Sequence, residues 1–314
     1  MTQSTHVLRS QQFSVSCINE LFARAEAFQR GGRKNYRDKI VFTVFYEPST
    51  RTRFSFETAA ARLGAGIVST ENAKEFSSAI KGESLEDTIR VLCGYRPDAI
   101  VLRHPQTGAA EIAAEVSEGS GVSIINAGDG AGQHPTQALL DLYTIIKEVG
   151  RSGLKVVIGG DLANGRTARS LAYLLAKVDP NVHLVFVAPS ALRLGEDIKQ
   201  HLFENGVRFE EKEELVETLQ DADVIYWTRV QKERIANSDY ENLRAEMLIR
   251  YSITLAHLKL MKPRAILMHP LPRAGEIHPS VDGDSRAAYF RQAANGVPLR
   301  MAILERIFTR IPFE

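Results

Sequence analysis

Two arginines and three hydroxyls crowd one short stretch, Ser49-Thr50-Arg51-Thr52-Arg53. Such a cluster suits an anion, phosphate above all. Guanidinium forks match phosphate oxygens. A helix amino terminus adds free N–H groups and about half a positive charge. The stretch is not a P-loop, because no Gly-Lys-Ser or Gly-Lys-Thr follows a glycine-rich turn. The two arginines have different prospects. Set two positions apart, they leave a helix on different sides. Arg53 can pair with Glu57 four residues on, so Arg51 is the expected ligand and Arg53 its support. A capped helix with solvated arginines is the plain alternative. The hydroxyls and the strand ahead of them tell against it.

The other unusual polar residues also follow apolar runs. Arg103 closes one, and His134 and Gln137 come after another. Asp161 to Arg166 open the second half of the chain. Arg229 and Gln231 follow Trp227, and His269-Pro270-Leu271-Pro272-Arg273 follows the last run. In open α/β sheets, ligands bind at the carboxyl ends of strands. Two such edges facing each other would gather these groups around one cleft. Taken singly, each has a bland reading. Arg103 reads as a strand-end surface arginine, and His134 reads equally as a helix-terminal cap. Arg166 and Arg229 read as ion-pair partners, and Lys81 as a solvated lysine on a polar loop. The prolines at 270 and 272 read as strand terminators. Gly159-Gly160 and Gly165 hint at a dinucleotide turn but do not make Gly-x-Gly-x-x-Gly.

The elements that would position these residues alternate. Residues 14–30 are an amphipathic helix with Val15, Ile18, Leu21, Phe22 and Ala25 on one face. The apolar, β-branched and aromatic run that begins at Ile40 is a buried strand, ended by Pro48. Ser49 and Thr50 are helix N-cap types, and Phe54, Phe56, Ala59, Ala60 and Leu63 line a helix that stops at Gly64. Residues 66–69 are a strand, and 71–82 a mobile polar loop. A helix starts from Ser84, with Asp87 completing a capping-box pattern. Strands follow at 98–102 and 122–126, and then a helix from Pro135 to about Val149.

Gly150 to Gly153 resets the pattern. A second series has strands at 155–159, 182–187, 223–227 and 265–268, with a helix at 166–178. Residues 229–252 are polar and poorly periodic, a mobile segment with some helix. Residues 285–310 end the chain as a helix. Strands alternating with helices imply parallel sheets with right-handed crossovers. The expected fold is α/β with two doubly wound domains, each a parallel sheet flanked by helices. The expected domains are 1–149 with 288–314, the final helix packing back on the first, and 150–287.

Composition narrows the function. The chain has 314 residues, 44% apolar and 25% charged, which fits a soluble globular protein of two ordinary domains. Thirty-nine basic and 38 acidic residues give a net charge of +1, with no nucleic-acid footprint. The arginine clusters must then serve small anions or ion pairs. Cys17 and Cys93 suggest neither a disulfide framework nor a zinc site, so a reducing compartment is expected. The first residues lack an apolar h-region, and no run approaches a membrane span. A cytoplasmic location is the expectation.

Seven segments in family order closely resemble aspartate carbamoyltransferase catalytic chains, within the aspartate/ornithine carbamoyltransferase superfamily. They are Ser49-Thr50-Arg51-Thr52-Arg53, Lys81-Gly82-Glu83, Arg103-His104-Pro105, His134-Pro135-Thr136-Gln137, Gly165-Arg166-Thr167, Arg229-Val230-Gln231 and His269-Pro270-Leu271-Pro272-Arg273. The resemblance covers nearly the whole chain. The Arg-x-Gln and His-Pro-Leu-Pro-Arg elements favour the aspartate enzyme, and the His-Cys-Leu-Pro turn of ornithine enzymes is absent. The resemblance implies transfer of a carbamoyl group from carbamoyl phosphate to L-aspartate, in pyrimidine synthesis, with no cofactor, no metal and no covalent intermediate.

By the same resemblance Ser49, Thr50, Arg51 and Thr52 hold the phosphate with Arg103 beside it. Thr52, Arg103 and His134 contact the carbonyl oxygen. Gln137 and the backbone of Leu271 and Pro272 hold the carbamoyl amide. Arg166, Arg229 and Gln231 bind the aspartate carboxylates. Lys81, with Ser77, comes from a neighbouring subunit of a homotrimer with shared sites. Regulatory or dihydroorotase partner chains fit the family too, and no residue here selects among them. Leu162-Ala163-Asn164 stands at a stretch the family varies. Three other functions compete. They are a carbamoyltransferase for another amino acid, a non-catalytic phosphate-responsive scaffold, and a nucleotide-dependent dehydrogenase, which lacks its glycine fingerprint.

Overall fold

The computed structural model describes residues 5–32, 34–71, 73, 81–235 and 237–313. The chain forms two compact units, Met1–Leu139 with Asn295–Glu314, and Leu140–Ala294. Both divisions fall inside helices, Pro135–Glu148 and Tyr289–Phe308.

The first unit is built on four parallel strands, β1 (Ile40–Phe45), β2 (Gly66–Glu71), β3 (Ala99–His104) and β4 (Ser123–Asp129), in the order β2-β1-β3-β4. Phe42 pairs with Ile100 and Ile100 with Ile124 across the sheet. Past its first residue β1 is buried throughout, as a central strand covered on both faces must be. Side chains such as Val41 and Phe45 contribute roughly 1.5–3 kcal/mol each by leaving water. Helices connect the strands, among them Thr50–Arg62, Leu85–Gly94 and Ala109–Val116. Ser84 caps the second of these, accepting from the Asp87 amide at 3.1 Å.

The Thr50–Arg62 helix is pinned to the sheet by a polar hub. Glu57 accepts from Thr43 Oγ1 at 3.0 Å and from Ser69 Oγ at 2.6 Å, so one carboxylate ties the helix to β1 and β2 together. Phe56 is fully buried beneath it, with the Arg300 guanidinium 4.9 Å from its ring. One residue of the expected inner face is misplaced: Phe54 is 52% exposed. It lies two positions from Phe56, on another side of a 3.6-residue turn.

The second unit has five parallel strands, β5 (Lys155–Gly159), β6 (His183–Val187), β7 (Arg208–Lys212), β8 (Val224–Trp227) and β9 (Ile266–Met268), ordered β7-β6-β5-β8-β9. The Arg166–Val178 helix starts and stops where the sequence places it. The helix expected somewhere within 229–252 is Asn237–Arg250. In the sequence its polar face leaves its bounds unmarked. Met247 is buried on it, and Arg250 bridges Glu246 and Glu214 at 2.8 Å each. The expected polar loop at 71–82 falls mostly outside the described residues.

In each sheet the strand order reverses once. The reversal lies between β1 and β3 in the first and between β5 and β8 in the second. Those reversal points are where such sheets open a crevice for ligands.

Candidate active site

In the first unit, the reversal point carries the Ser49–Arg53 cluster and Arg103. Ser49 takes the N-cap position of the Thr50–Arg62 helix, but its side chain makes no capping bond, contrary to the cap role its type suggested. The Ser49 hydroxyl therefore does not compete for the amides of that first turn. Arg51 is exposed at the helix start, and Arg53 turns back toward Glu57 with Nε 3.9 Å from Oε1. Thr52 is buried, and its Oγ1 lies 3.4 Å from His134 Nε2. His134 is 3% exposed, and its Nδ1 faces Thr136 Oγ1 at 3.5 Å. Gln137 is buried one turn on, its amide donating to the His134 carbonyl at 3.0 Å.

Arg103 is the last residue but one of β3 and pairs with Phe45 of β1. Its Nη1 donates to the Ala127 carbonyl at 3.2 Å, and its Nη2 lies 3.4 Å from Glu47 Oε2. Glu47 carries no signal in the sequence that would have paired it with Arg103. The loop from β4 to His134 is folded around Asp129. One oxygen accepts from the Gly108 amide at 2.8 Å and the other from the Gln133 amide at 2.8 Å. Gly130, at φ 46°, is required there: a Cβ would stand 2.5 Å from the Pro105 carbonyl oxygen. Beside this loop His104 packs edge-on to Tyr46 at 4.7 Å, and burial pushes its imidazole below the ordinary histidine range.

The second unit repeats the plan. Its reversal point brings together the segments after β5 and β8. Gly159 and Gly160 serve close approach between them. A Cβ on Gly159 would stand 2.1 Å from the Trp227 ring. Asp161 follows, fully buried, and joins the two segments. It accepts from the Asn164 amide at 3.0 Å and from the Gln231 amide at 2.9 Å. Burial pushes its carboxyl above the ordinary range, and those amide donors oppose the shift. Arg166 starts its helix and is buried. Arg229 Nη1 donates to the Val230 carbonyl at 2.9 Å, and Gln231 Nε2 to the Arg229 carbonyl at 3.2 Å.

Past β9 the chain turns through Leu271, at φ 57°, and a cis Leu271–Pro272 bond. The Leu271 amide donates to His269 Nδ1 at 2.7 Å. Lys81 is exposed, and Ser77 lies outside the described residues. The first unit thus brings Thr52 and His134 into contact and sets Arg103 one strand away from the cluster. The second draws Gln231 onto Asp161, at the segment that leads to Arg166.

Fold and site together define a two-domain α/β protein with arginines gathered at the strand ends of both sheets. A family model for the carbamoyl-phosphate-binding domain of aspartate/ornithine carbamoyltransferases matches residues 5–147, and one for the Asp/Orn-binding domain matches 152–307. A chloroplastic aspartate carbamoyltransferase of Pisum sativum is 49% identical over 96% of this chain and 78% of its own. The aspartate carbamoyltransferase catalytic subunit of Methanothrix thermoacetophila is 47% identical over 98% of this chain and 99% of its own. The crystal structure of the Trypanosoma cruzi aspartate transcarbamoylase with carbamoyl phosphate and aspartate superposes with a TM-score of 0.88 at 40% identity, covering 96% of each chain. This chain belongs to the aspartate/ornithine carbamoyltransferase family, and within it to the catalytic chains of aspartate carbamoyltransferase.

Proposed function

We propose that the chain transfers the carbamoyl group of carbamoyl phosphate to the amino group of L-aspartate, giving N-carbamoyl-L-aspartate and phosphate for pyrimidine synthesis. Family kinship supports the reaction. The observation that carries the site is the 3.4 Å approach of Thr52 to His134 at the head of an arginine-bearing helix.

The residues divide as follows. Ser49, Thr50, Arg51 and Thr52 take the phosphate, with Arg103. Thr52, Arg103 and His134 donate to the carbonyl oxygen. Gln137 and the Leu271 and Pro272 backbone hold the carbamoyl amide. Arg166, Arg229 and Gln231 take the aspartate carboxylates. Residues 1–149 with 288–314 act as the carbamoyl phosphate domain, and 150–287 as the aspartate domain.

The amine nitrogen attacks the carbonyl carbon. An N–C bond forms, the bond from carbon to the phosphate oxygen breaks, and the leaving phosphate accepts the amine's proton. Negative charge gathers on the carbonyl oxygen on the way. Each donor placed for that charge is worth about 2.7–4 kcal/mol in the transition state. Holding two mutually repelling anions in line supplies roughly 7–11 kcal/mol more. The atoms balance with no cofactor and no covalent enzyme intermediate.

The working assembly is a homotrimer in which Lys81 and Ser77 complete a neighbour's site. The location is cytoplasmic, in keeping with two buried cysteines that form no disulfide. Carbamoyl phosphate supplied with aspartate and ornithine side by side tests the reaction. N-carbamoyl-aspartate is the expected product. Citrulline in its place would overturn the reading.

A further inference from the structure

Leu271 occupies left-handed backbone space, which a side chain of its kind holds only where the surroundings fix it. The fixing is internal to the turn. At its start the Leu271 amide donates to His269 Nδ1 at 2.7 Å. At its end the Ala274 amide donates to Glu276 Oε2 at 2.9 Å. The two acceptors are themselves joined, with His269 Nε2 2.7 Å from Glu276 Oε1.

Hydrogen-bond chemistry leaves the imidazole one state here. Nδ1 accepts, so it carries no proton. Nε2 then holds the proton and donates it to the carboxylate. His269 is 1% exposed and Glu276 4%. The brace is anchored further in. The His269 amide donates to Gln292 Oε1 at 2.9 Å. Gln292 Nε2 donates to Asp141 Oδ1 at 2.6 Å, and the Tyr226 hydroxyl to Asp141 Oδ2 at 2.8 Å. Burying a carboxylate this deeply is costly, and apolar side chains would pack the same space more cheaply. What the pair supplies is fixed geometry for residues 271–274.

We propose that His269 and Glu276 are positioning residues. They set the Leu271–Pro272 backbone where it can hold the carbamoyl amide, and they touch no substrate themselves. The inference rests on the assignment of that backbone to carbamoyl phosphate made under the proposed function.

Three variants of the full chain test it. In Glu276→Gln, one side-chain amide cannot accept from both His269 and Ala274, so one end of the brace is released. His269→Leu keeps bulk but offers no acceptor, whereas His269→Asn places an oxygen near the lost Nδ1. Glu276→Gln and His269→Leu are expected to lower kcat by about 10²-fold, the scale of a small misplacement near the reacting groups. The KM for aspartate should move by less than about threefold, because that substrate's contacts are intact. His269→Asn should recover about tenfold over His269→Leu, while the melting temperatures of the two stay matched.

Near-normal kcat in Glu276→Gln, or equal loss in the Asn and Leu variants, would overturn the proposal. So would a Glu276→Gln chain that fails to fold, since the pair would then be plain core support. An unmodified chain that leaves aspartate uncarbamoylated would instead bring down the functional reading, and this inference with it.

Discussion

Arg51 and Arg53 are the same residue type two positions apart, and the fold gives them opposite surroundings. Arg51 stands exposed at a helix start, and Arg53 leans on Glu57. Replacing Arg51 with alanine should therefore cost activity and spare the fold. We expect kcat/KM for carbamoyl phosphate to fall by about 2.7–4 kcal/mol, or 10²–10³-fold, the loss typical of a removed charge-stabilising donor. Thermal melting should stay within a degree or so, as for surface substitutions generally. Steady-state kinetics beside a melting curve decides it.

Much of this pairing was legible in the sequence, because four-residue spacing on a helix is a local rule. Partners that meet through tertiary turns were not. Glu47 beside Arg103, Asp161 beneath Gln231 and Glu276 against His269 are contacts made after the chain has folded. Nothing in their spacing announces them.

Among elements, legibility followed burial. The central strands β1, β5 and β8 are apolar runs and read directly as strands. β7, with the sequence RFEEK, lies at a sheet edge with no fully buried residue, so it lacks that mark and was missed. The Asn237–Arg250 helix was legible only as some helix in a polar stretch, because ion pairs rather than apolar periodicity mark its outer face.

The glycines before Asp161 were legible as special but not as to purpose. Their purpose is contact between β5 and β8. Gly159→Ala would drive a methyl group into the Trp227 ring. Overpacking of this kind typically costs about 1–3 kcal/mol. A lower denaturant midpoint at unchanged slope would show it.

The turn before the final helix makes a pH prediction. Asp282 is held down to about 2 by hydrogen bonds from Arg273, and Asp284 to about 2 by those from Arg286. Both carboxyls titrate below their unfolded value. Their stabilisation is thus complete above an unfolded pKa of about 3.9 and is lost as pH falls toward 2. Melting temperature measured from pH 5 down to 2 should drop across that window. Asp284→Asn should shallow the drop, and an unchanged slope would contradict the pairing.

At the scale of the whole molecule, the expected trimer predicts complementation. A Lys81→Ala chain and an Arg51→Ala chain, each weak alone, should regain activity when mixed and reassembled. Random mixing of equal amounts yields some sites that carry neither lesion. Demonstrably mixed assemblies without recovery would show that Lys81 serves its own chain.

The reversal of strand order occurs separately in each sheet, and each reversal carries its own set of cations. On the assignment proposed above, the first set takes the phosphate of the donor and the second takes the carboxylates of the amino acid that receives its cargo. On that assignment, changes in the segment after β8 would alter the recipient while the machinery around Arg51 stays as it was. A lineage built this way can diversify its products without reinventing its activated reagent.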